Sequence, residues 1–192
     1  MVQLFVEAIP PVYACCDVLV TAADVASAAR FQNEARRREH LAWRRIVRRE
    51  LGRNVVIDYN AVGAPTVDIP NRHISVAHCR TSVAVAIADE RVGVDIESLD
   101  RDFERAKARF MSSAEAALAN HDNWAAMVWT AKEAIYKLYG RREVDLIGDI
   151  HIVAYDAASQ YLTAQVGEMH NIVVEMSFYD HNVVVAVATQ RG

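Results

Sequence analysis

The chain has 192 residues, of which 53% are hydrophobic and 24% charged, and its formal net charge at pH 7 is −4. This length allows a sizeable core in one domain or in two tightly joined halves. The acidic balance argues against general nucleic-acid binding, and no run of about 18 apolar residues that could span a membrane is found. The first residues do not have the pattern of a basic leader followed by an apolar core, so we expect no secretory signal.

The N-terminal region is expected to be extended. A strand is predicted over residues 4–9, ended by Pro10-Pro11, and a second extended segment over residues 12–20. Cys15 and Cys16 would point to opposite faces of that segment, and with Cys79 they show no metal-binding spacing. We therefore expect small buried side chains, no disulfide, and a reducing, cytoplasmic setting.

A long helix is predicted over residues 31–51, preceded by a short one that Thr21 and Asp24 could cap. One side of the long helix is apolar, and Gly52 is a plausible end. Residues 30–53 contain nine arginines and three glutamates, a net charge of +6 in one segment. This excess predicts a positively charged edge, although most charge runs are simply solvated.

Short strands separated by turn sequences follow, and the late strands have the pattern of hairpins. Strands are predicted over residues 55–59, 66–69, 73–77, 83–88, 92–97, 150–155, 161–166, 172–179 and 183–189. Helical segments are predicted over residues 103–110, 113–118 and 123–139, the last ending at Gly140. The fold class expected from this order is α+β.

The segment Val92-Gly-Val-Asp-Ile-Glu97 combines an apolar alternation with two acids. Asp95 and Glu97 are two residues apart, so on a strand they share one face, roughly 7 Å apart. Alone, such a pair is most often the solvated face of an edge strand. Two or three carboxylates together are also the ligands that Mg²⁺ prefers in the presence of phosphate.

The helix over residues 123–139 has a polar face with an unexpected tryptophan. Its apolar stripe lies opposite Glu133 and Lys137, which are one turn apart and could form an ordinary surface ion pair. Trp129 lies beside them, and a tryptophan is costly on a solvated face. We therefore expect this face to be covered, and a covered carboxylate needs a cation.

Taken together, the two segments resemble a known family signature. A Gly-Val-Asp-Ile-Glu strand followed by Trp-Thr-x-Lys-Glu-(x)3-Lys-(x)2-Gly, here Trp129 to Gly140, is similar to the signature of the 4′-phosphopantetheinyl transferases. The likeness is closer to the surfactin-synthetase type. It implies a single compact unit, residues 1–192, with two similar α/β halves at about residues 1–90 and 91–192. In such a fold a pseudo-twofold axis relates the halves, and the active site lies in the cleft between them.

The resemblance also implies roles for individual residues. Asp95, Glu97 and Glu133 would hold Mg²⁺, or Mn²⁺ as a substitute, and Asp95, Glu133 and Lys137 would be catalytic. Coenzyme A would contact Ser75, His78, Lys132 and Lys137, and its 3′-phosphate and adenine region would meet Arg36, Arg37 and Arg38. Most lysines, however, are ordinary surface residues, and a lone histidine at a strand end is usually structural. Glu115 resembles a further acidic position. Ala64 and Ala77 depart from the family pattern, where a lysine and a hydroxyl residue are frequent.

The implied reaction transfers 4′-phosphopantetheine from coenzyme A to a serine of an apo carrier protein and releases 3′,5′-ADP. The expected partners are coenzyme A and an acidic carrier domain of fatty-acid, polyketide or peptide synthesis, and a monomer is expected. Nucleic acid and membrane are not expected partners. Two alternatives stay open: another Mg²⁺-dependent phosphoester hydrolase, and an inactive module that binds coenzyme A or a carrier domain.

Overall fold

The computed structural model describes residues 1–11 and 17–192. The strands are β1 Val2–Ala8, β2 Ile57–Tyr59, β3 Pro65–Val67, β4 His73–His78, β5 Ser82–Ala88, β6 Gly93–Ser98, β7 Ile150–Asp156, β8 Tyr161–Val166, β9 Met169–Tyr179 and β10 Val183–Gln190. The helices are α1 Ala22–Ala28, α2 Glu34–Leu51, α3 Ser113–Ala116 and α4 Trp124–Tyr139, with a 3₁₀ helix at Glu104–Arg109. In the described ranges, no helix has the length and apolar character needed to cross a membrane.

The helix ends follow local capping chemistry. Thr21 and Asp24 form the expected reciprocal cap of α1, and Gly140 ends α4 in the left-handed conformation, with φ 64°. Helix α2 begins at Glu34, three residues later than predicted. The reason is Asn33, whose side-chain oxygen accepts hydrogen bonds from the backbone N–H groups of Ala35 and Arg36.

The extended segment predicted over residues 12–20 is only partly described. Residues 12–16, which include Cys15 and Cys16, lie outside the described residues. Residues 17–20 form a turn, not a strand, because the Asp17 carboxylate accepts from the backbone N–H of Leu19 and the Asp17 carbonyl accepts from Val20. Cys79, the third cysteine, is buried.

The strands form two main antiparallel sheets. One has the order β1-β5-β4, the other has the order β6-β10-β9-β8-β7, and β2 pairs with β3 in a small hairpin. Antiparallel sheets with helices on their faces agree with the α+β class. Strand β4 is an edge of the first sheet and β6 an edge of the second. The Ser75 hydroxyl on β4 accepts a 3.0 Å hydrogen bond from the backbone N–H of Val94 on β6.

The packing order is helix, sheet, sheet, helix. Trp43 and Ile46 of α2 cover one face of the three-stranded sheet. Its other face, rich in alanine, meets the valine-rich face of the five-stranded sheet, which includes Val94 and Val185. Helix α4 covers the remaining face of that second sheet. The side chains of Asp95 and Glu97 alternate with Val94 and Ile96, so they point toward the α4 side.

The arginine-rich helix is not the exposed basic edge that the sequence predicts. Arg44 and Arg48 are buried and both bind Asp24. Burial alone would raise the pKa of Asp24, but hydrogen bonds, led by the one from Arg48, hold it well below its usual range. On the same helix, Arg45 pairs with Glu7 and Asp17, and Arg49 pairs with Glu7 and Glu50. Acids from distant segments therefore neutralise much of the predicted excess.

Candidate active site

Strand β6 and helix α4 make an unusually close backbone contact. A Cβ added at Gly93 would lie 1.9 Å from the carbonyl oxygen of Ala134, a distance that no real side chain tolerates. Only glycine therefore fits here, and its absence of a side chain lets the strand lie directly on the helix. This contact brings Asp95 and Glu97 beside the polar face of α4.

Asp95 and Lys137 form the central ion pair of this crossing. The Lys137 ammonium donates to Asp95 Oδ1 at 2.8 Å and to the Val94 carbonyl at 2.9 Å. Asp95 is 8% exposed, and its Oδ2 atom is buried without a hydrogen-bond partner among the described residues. A buried, unpaired carboxylate oxygen is costly, so it marks a place where a cation or a donor would bind favourably.

Glu97 accepts hydrogen bonds from two side chains. Trp129 Nε1 and Arg101 Nη1 both donate to Glu97 Oε1, at 2.8 and 2.6 Å. The Arg101 guanidinium lies 4.7 Å from the centre of the Trp129 ring, so Arg101 and Glu97 cover the tryptophan as predicted. Burial raises the pKa of Glu97 above its usual range, and the charge of Asp95 raises it further, against the opposing effect of Arg101.

Glu133 faces the same acids. It has no hydrogen bond or ion pair in the described part of the chain, since Lys137 binds Asp95 in place of the i,i+4 pair that an ordinary surface helix would form. Burial raises the pKa of Glu133, and repulsion from Asp95 raises it further. Within residues 1–11 and 17–192, no three acidic, histidine or cysteine side chains form a preassembled metal cluster.

A cavity of about 510 Å³ opens beside Asp95 and Lys137. One wall comes from α2, β4 and the turn between β2 and β3, and the other from β6 and the C-terminal end of α4. The cavity thus lies between the first and second sheets with their helices. Of the three acids in the predicted metal site, only Asp95 is among the described residues that line it.

His78 lies at the end of β4 on the cavity wall. Arg36 Nη1 lies 2.6 Å from His78 Nε2, and Glu39 Oε2 lies 3.4 Å from His78 Nδ1. Because a guanidinium only donates, Nε2 must accept and the ring proton must be on Nδ1. Burial lowers the pKa of His78, which agrees with a neutral ring. The structure therefore brings Arg36, Glu39 and His78 together as one hydrogen-bonded group.

Of the other residues predicted to contact coenzyme A, some line the cavity and others do not. Ser75 is buried and lines the cavity, but its hydroxyl oxygen also ties β4 to Val94. Arg37 donates to the carbonyl of Phe31, and Arg38 donates to the carbonyl of Pro11. Of Arg36, Arg37 and Arg38, only Arg36 is among the residues that line the cavity.

Lys132 does not lie where a phosphate contact would require it. Its side chain is 0% exposed, and its ammonium binds Glu115 and the carbonyl of Leu146. Glu115 also accepts from the backbone N–H groups of Ser112 and Ile152. This placement does not support the phosphate contact expected for Lys132 or the position near the site expected for Glu115, because the two neutralise each other inside the core.

Comparison with protein families gives a match to the 4′-phosphopantetheinyl transferase superfamily over residues 91–188, slightly more than half of the chain. The match includes β6 and α4, and so Asp95, Glu97, Glu133 and Lys137. The chain belongs to the 4′-phosphopantetheinyl transferase superfamily. Comparison with curated proteins finds no match. Membership of this superfamily supports a transferase of the phosphopantetheinyl type, and Arg36 and His78 lie outside the matched residues.

Several residues of this candidate site were not found from the sequence. Arg101 lies four residues after Glu97, and Glu39 lies three residues after Arg36, but neither spacing distinguishes them from ordinary surface charges. Arg141 and Arg142 line the cavity directly after the motif helix. Two consecutive arginines directly after Gly140 are visible in the sequence, but only the tertiary structure shows that they lie at the cavity.

Proposed function

We propose that the protein transfers the 4′-phosphopantetheine group of coenzyme A to a serine of an apo carrier protein. The serine oxygen attacks the β-phosphorus of coenzyme A, and the bond from that phosphorus to the oxygen bridging it to the α-phosphate breaks. The serine proton passes to Glu133, and 3′,5′-ADP leaves. Lys137 stabilises the negative charge that develops on the departing phosphate.

The observation that carries this proposal is the electrostatic arrangement around Asp95. A buried carboxylate with one unpartnered oxygen lies at the cavity, beside Lys137. Burial raises the pKa of both Glu97 and Glu133, and the charge of this carboxylate raises both further. A glutamate with a raised pKa is a better proton acceptor near neutral pH than an ordinary exposed one. Asp95 and Lys137 thus border one cavity, and the proton acceptor Glu133 lies close enough to Asp95 to be affected by its charge.

The same residues fit a hard divalent cation. A bound cation would give Asp95 Oδ2 a partner and would reduce the mutual repulsion of Asp95, Glu97 and Glu133. Carboxylate oxygens are the ligands that Mg²⁺ prefers. Asp95, Glu97 and Glu133 would hold Mg²⁺, or Mn²⁺ in its place, and the ion would neutralise charge on the diphosphate. Arg101 and Lys137 hold two of these carboxylates in the present arrangement.

Further parts of the proposal concern architecture and partners. The cavity takes one wall from residues before Glu90 and the other from residues after it. This supports the surfactin-synthetase type, in which two similar halves of one chain form a complete site and the enzyme is a monomer. The acceptor is an acyl, polyketide or peptidyl carrier domain.

The test is the intact mass of an apo acyl carrier protein after incubation with this protein, coenzyme A and Mg²⁺. We expect a gain of one phosphopantetheine group and the release of 3′,5′-ADP. The matched control is Asp95→Asn, which keeps the side-chain volume but removes the charge, and should lose nearly all turnover. A peptidyl carrier domain is the second acceptor, and circular dichroism verifies that the variant is folded.

Three results would contradict the proposal. Release of nucleotide from coenzyme A without any carrier protein would indicate a hydrolase. Binding of coenzyme A with no transfer to either carrier domain would indicate a binding module. Full turnover of Asp95→Asn at saturating Mg²⁺ would exclude the assigned role of this carboxylate.

A further inference from the structure

The two oxygens of the Glu97 carboxylate are used differently. Oε1 accepts two hydrogen bonds, one from Trp129 Nε1 at 2.8 Å and one from Arg101 Nη1 at 2.6 Å. A carboxylate oxygen has two lone pairs, so these two donors use the accepting capacity of Oε1. Oε2 accepts no hydrogen bond from residues 1–11 or 17–192. Within the described part of the chain, Glu97 therefore has one occupied oxygen and one that can still bind a ligand.

Aromatic packing holds both donors in place. The Trp129 ring meets Phe110 edge-on, with 5.1 Å between the ring centres, and Phe110 is completely buried. The Arg101 guanidinium lies 4.7 Å from the centre of the Trp129 ring and 4.9 Å from the centre of the Phe103 ring. Such cation–π contacts position a guanidinium without using its N–H donors. The packing of these rings therefore keeps Glu97 Oε1 occupied.

Asp95 shows the same division between its two oxygens. Its Oδ1 atom accepts from the Lys137 ammonium at 2.8 Å, and its buried Oδ2 atom has no hydrogen-bond partner among the described residues. In each of these two acids of β6, a basic side chain therefore binds one oxygen and the other oxygen is left for a ligand. A metal ion between them would meet one oxygen from each acid, because bidentate binding needs both oxygens of a carboxylate.

The number of oxygens that a carboxylate offers distinguishes two common hard cations. Mg²⁺ is octahedral, with ligands at about 2.0–2.1 Å, and takes one or two carboxylates together with water and phosphate oxygens. Ca²⁺ takes roughly six to eight oxygens at about 2.3–2.6 Å and often binds both oxygens of one carboxylate. A site whose acids each offer a single oxygen therefore lacks ligands that Ca²⁺ uses, but none that Mg²⁺ needs.

We propose that Arg101 and Trp129 are positioning residues that make the metal site selective for Mg²⁺ over Ca²⁺. They restrict Glu97 to one oxygen that a metal can use. This role rests on the proposed function, which assigns the divalent cation to Asp95, Glu97 and Glu133. Donors that hold a metal-binding carboxylate from outside the site orient it and tune the affinity of the site for the ion.

The test is metal competition on the full chain, with and without coenzyme A but without carrier protein. Electron paramagnetic resonance of free Mn²⁺ measures binding, and displacement by Mg²⁺ and by Ca²⁺ gives the ratio of their affinities. In Arg101→Ala/Trp129→Phe, the affinity for Ca²⁺ relative to Mg²⁺ should rise at least about tenfold, because Glu97 can then use both oxygens. The ratio is the informative quantity, because loss of the Arg101 charge strengthens the binding of both ions. Arg105→Ala, an exposed arginine of the 3₁₀ helix, should leave the ratio unchanged.

Single variants keep the test decisive if the double variant does not fold. Arg101→Ala changes an exposed side chain and should raise the relative affinity for Ca²⁺ in part. Arg101→Lys, which keeps one charged donor, should raise it less. An unchanged ratio in the folded variants that lack the Arg101 or Trp129 donor would overturn the inference. So would an unchanged Mn²⁺ affinity in Asp95→Asn, because the ion would then bind elsewhere.

Failure of the proposed function is distinguishable from failure of this inference. If the variants change the ratio as expected but the wild type modifies no carrier domain, the metal inference holds and the transferase proposal fails. If the wild type modifies carrier domains but the variants keep its ratio of Ca²⁺ to Mg²⁺ affinity, the inference fails and the transferase proposal holds.

Discussion

Glu133 combines the functional role proposed for it with an energetic cost. It is largely buried beside Asp95 and has no hydrogen-bond partner among the described residues, so its charged form is disfavoured. A carboxyl group whose pKa is raised by folding stabilises the protein below its unfolded-state pKa. That contribution is lost as the pH rises through the folded-state pKa. At neutral pH the ionised Glu133 therefore lowers the free energy of unfolding.

Substitution of Glu133 by Gln should separate these two effects. We expect the melting temperature of the metal-free protein at pH 7 to rise by about 2 °C, because the buried charge is removed. We expect kcat for carrier modification to fall about 100-fold or more, because the proton acceptor is lost. Glu168→Gln, in the exposed turn between β8 and β9, should change neither quantity. Unchanged kcat in Glu133→Gln would exclude the assigned role.

The pH dependence of kcat/KM should follow the raised pKa of Glu133. The proton acceptor must be ionised, so activity should fall as the pH drops through a value above the ordinary 4.5 of a glutamate. Arg101 lowers the pKa of both Glu97 and Glu133. Arg101→Ala should therefore move the acidic limb to higher pH, while Arg105→Ala, on the exposed 3₁₀ helix, should not. A shift of the Arg101→Ala profile to lower pH would contradict this arrangement.

At the scale of elements, the contact of β6 with α4 decides where the acids lie. It depends on Gly93, because any Cβ there would meet backbone atoms of Ala134 and Leu138, which cannot move aside as a flexible side chain can. The strand and the helix therefore have to separate if a side chain is added. Such a separation would move Asp95 away from Lys137.

Gly93→Ala should destabilise the protein by roughly 3 kcal/mol and abolish turnover in the fraction that still folds. Gly52→Ala is the comparison, since Gly52 has φ 105° but open space around its Cα, and it should cost only about 1 kcal/mol through backbone strain. Urea denaturation measures both values. Equal costs for the two variants would show that conformational freedom, and not the close approach, requires glycine at position 93.

The ion pair between Lys132 and Glu115 joins α4 to α3 and β7. Burial would raise the pKa of Glu115, but hydrogen bonds, first from the Ile152 N–H and then from Lys132, hold it below its usual range. The pair therefore stabilises the fold above the unfolded-state pKa of Glu115. This stabilisation is lost as the pH falls through the lower folded-state value.

Removal of one partner of this pair should be costly. Lys132→Met should lower the free energy of unfolding by roughly 3–5 kcal/mol, because Glu115 is left as an uncompensated buried charge. Lys132→Met/Glu115→Gln should recover part of that loss. We expect kcat of the folded fraction to change by less than about twofold. A large drop in kcat with unchanged stability would restore the phosphate contact that the family resemblance implies for Lys132.

For the whole molecule, the contact between the two sheets is the main connection. Alanines of β4 and β5 pack against valines of β6 and β10, and these side chains are almost completely buried. Neither sheet covers this face alone. Because the cavity takes a wall from each side, the site depends on the same contact.

Val185→Asp should therefore destabilise the whole molecule by more than about 3 kcal/mol, because a charge would enter the dry contact between the sheets. Val153→Asp, on an exposed position of β7, should cost less than about 1 kcal/mol. In calorimetry the wild type should unfold in one cooperative transition. Two separate transitions, or equal costs for the two variants, would show that the halves are independent.

Much of the fold and part of the site could be predicted from the sequence, since both have local signals. The alternation around Asp95 and the helical stripe opposite Glu133 each follow from a repeat of a few residues. The caps at Thr21 and Gly140 follow from the residue types at the helix ends. The same patterns predicted that Trp129 is covered. Asn33 shows the limit of that reasoning, because a side-chain cap moved the start of α2 by three residues.

The partners of the charged residues were decided by the tertiary structure. The sequence shows nine arginines near α2, but only the folded chain brings Asp24 to Arg44 and Arg48, Glu115 to Lys132, and Arg142 to the turn at Ala61. An ion pair forms between residues that packing brings within a few ångströms, whatever their separation along the chain. For this protein, the local sequence determined the elements and the motif, and packing determined which charged side chains are paired.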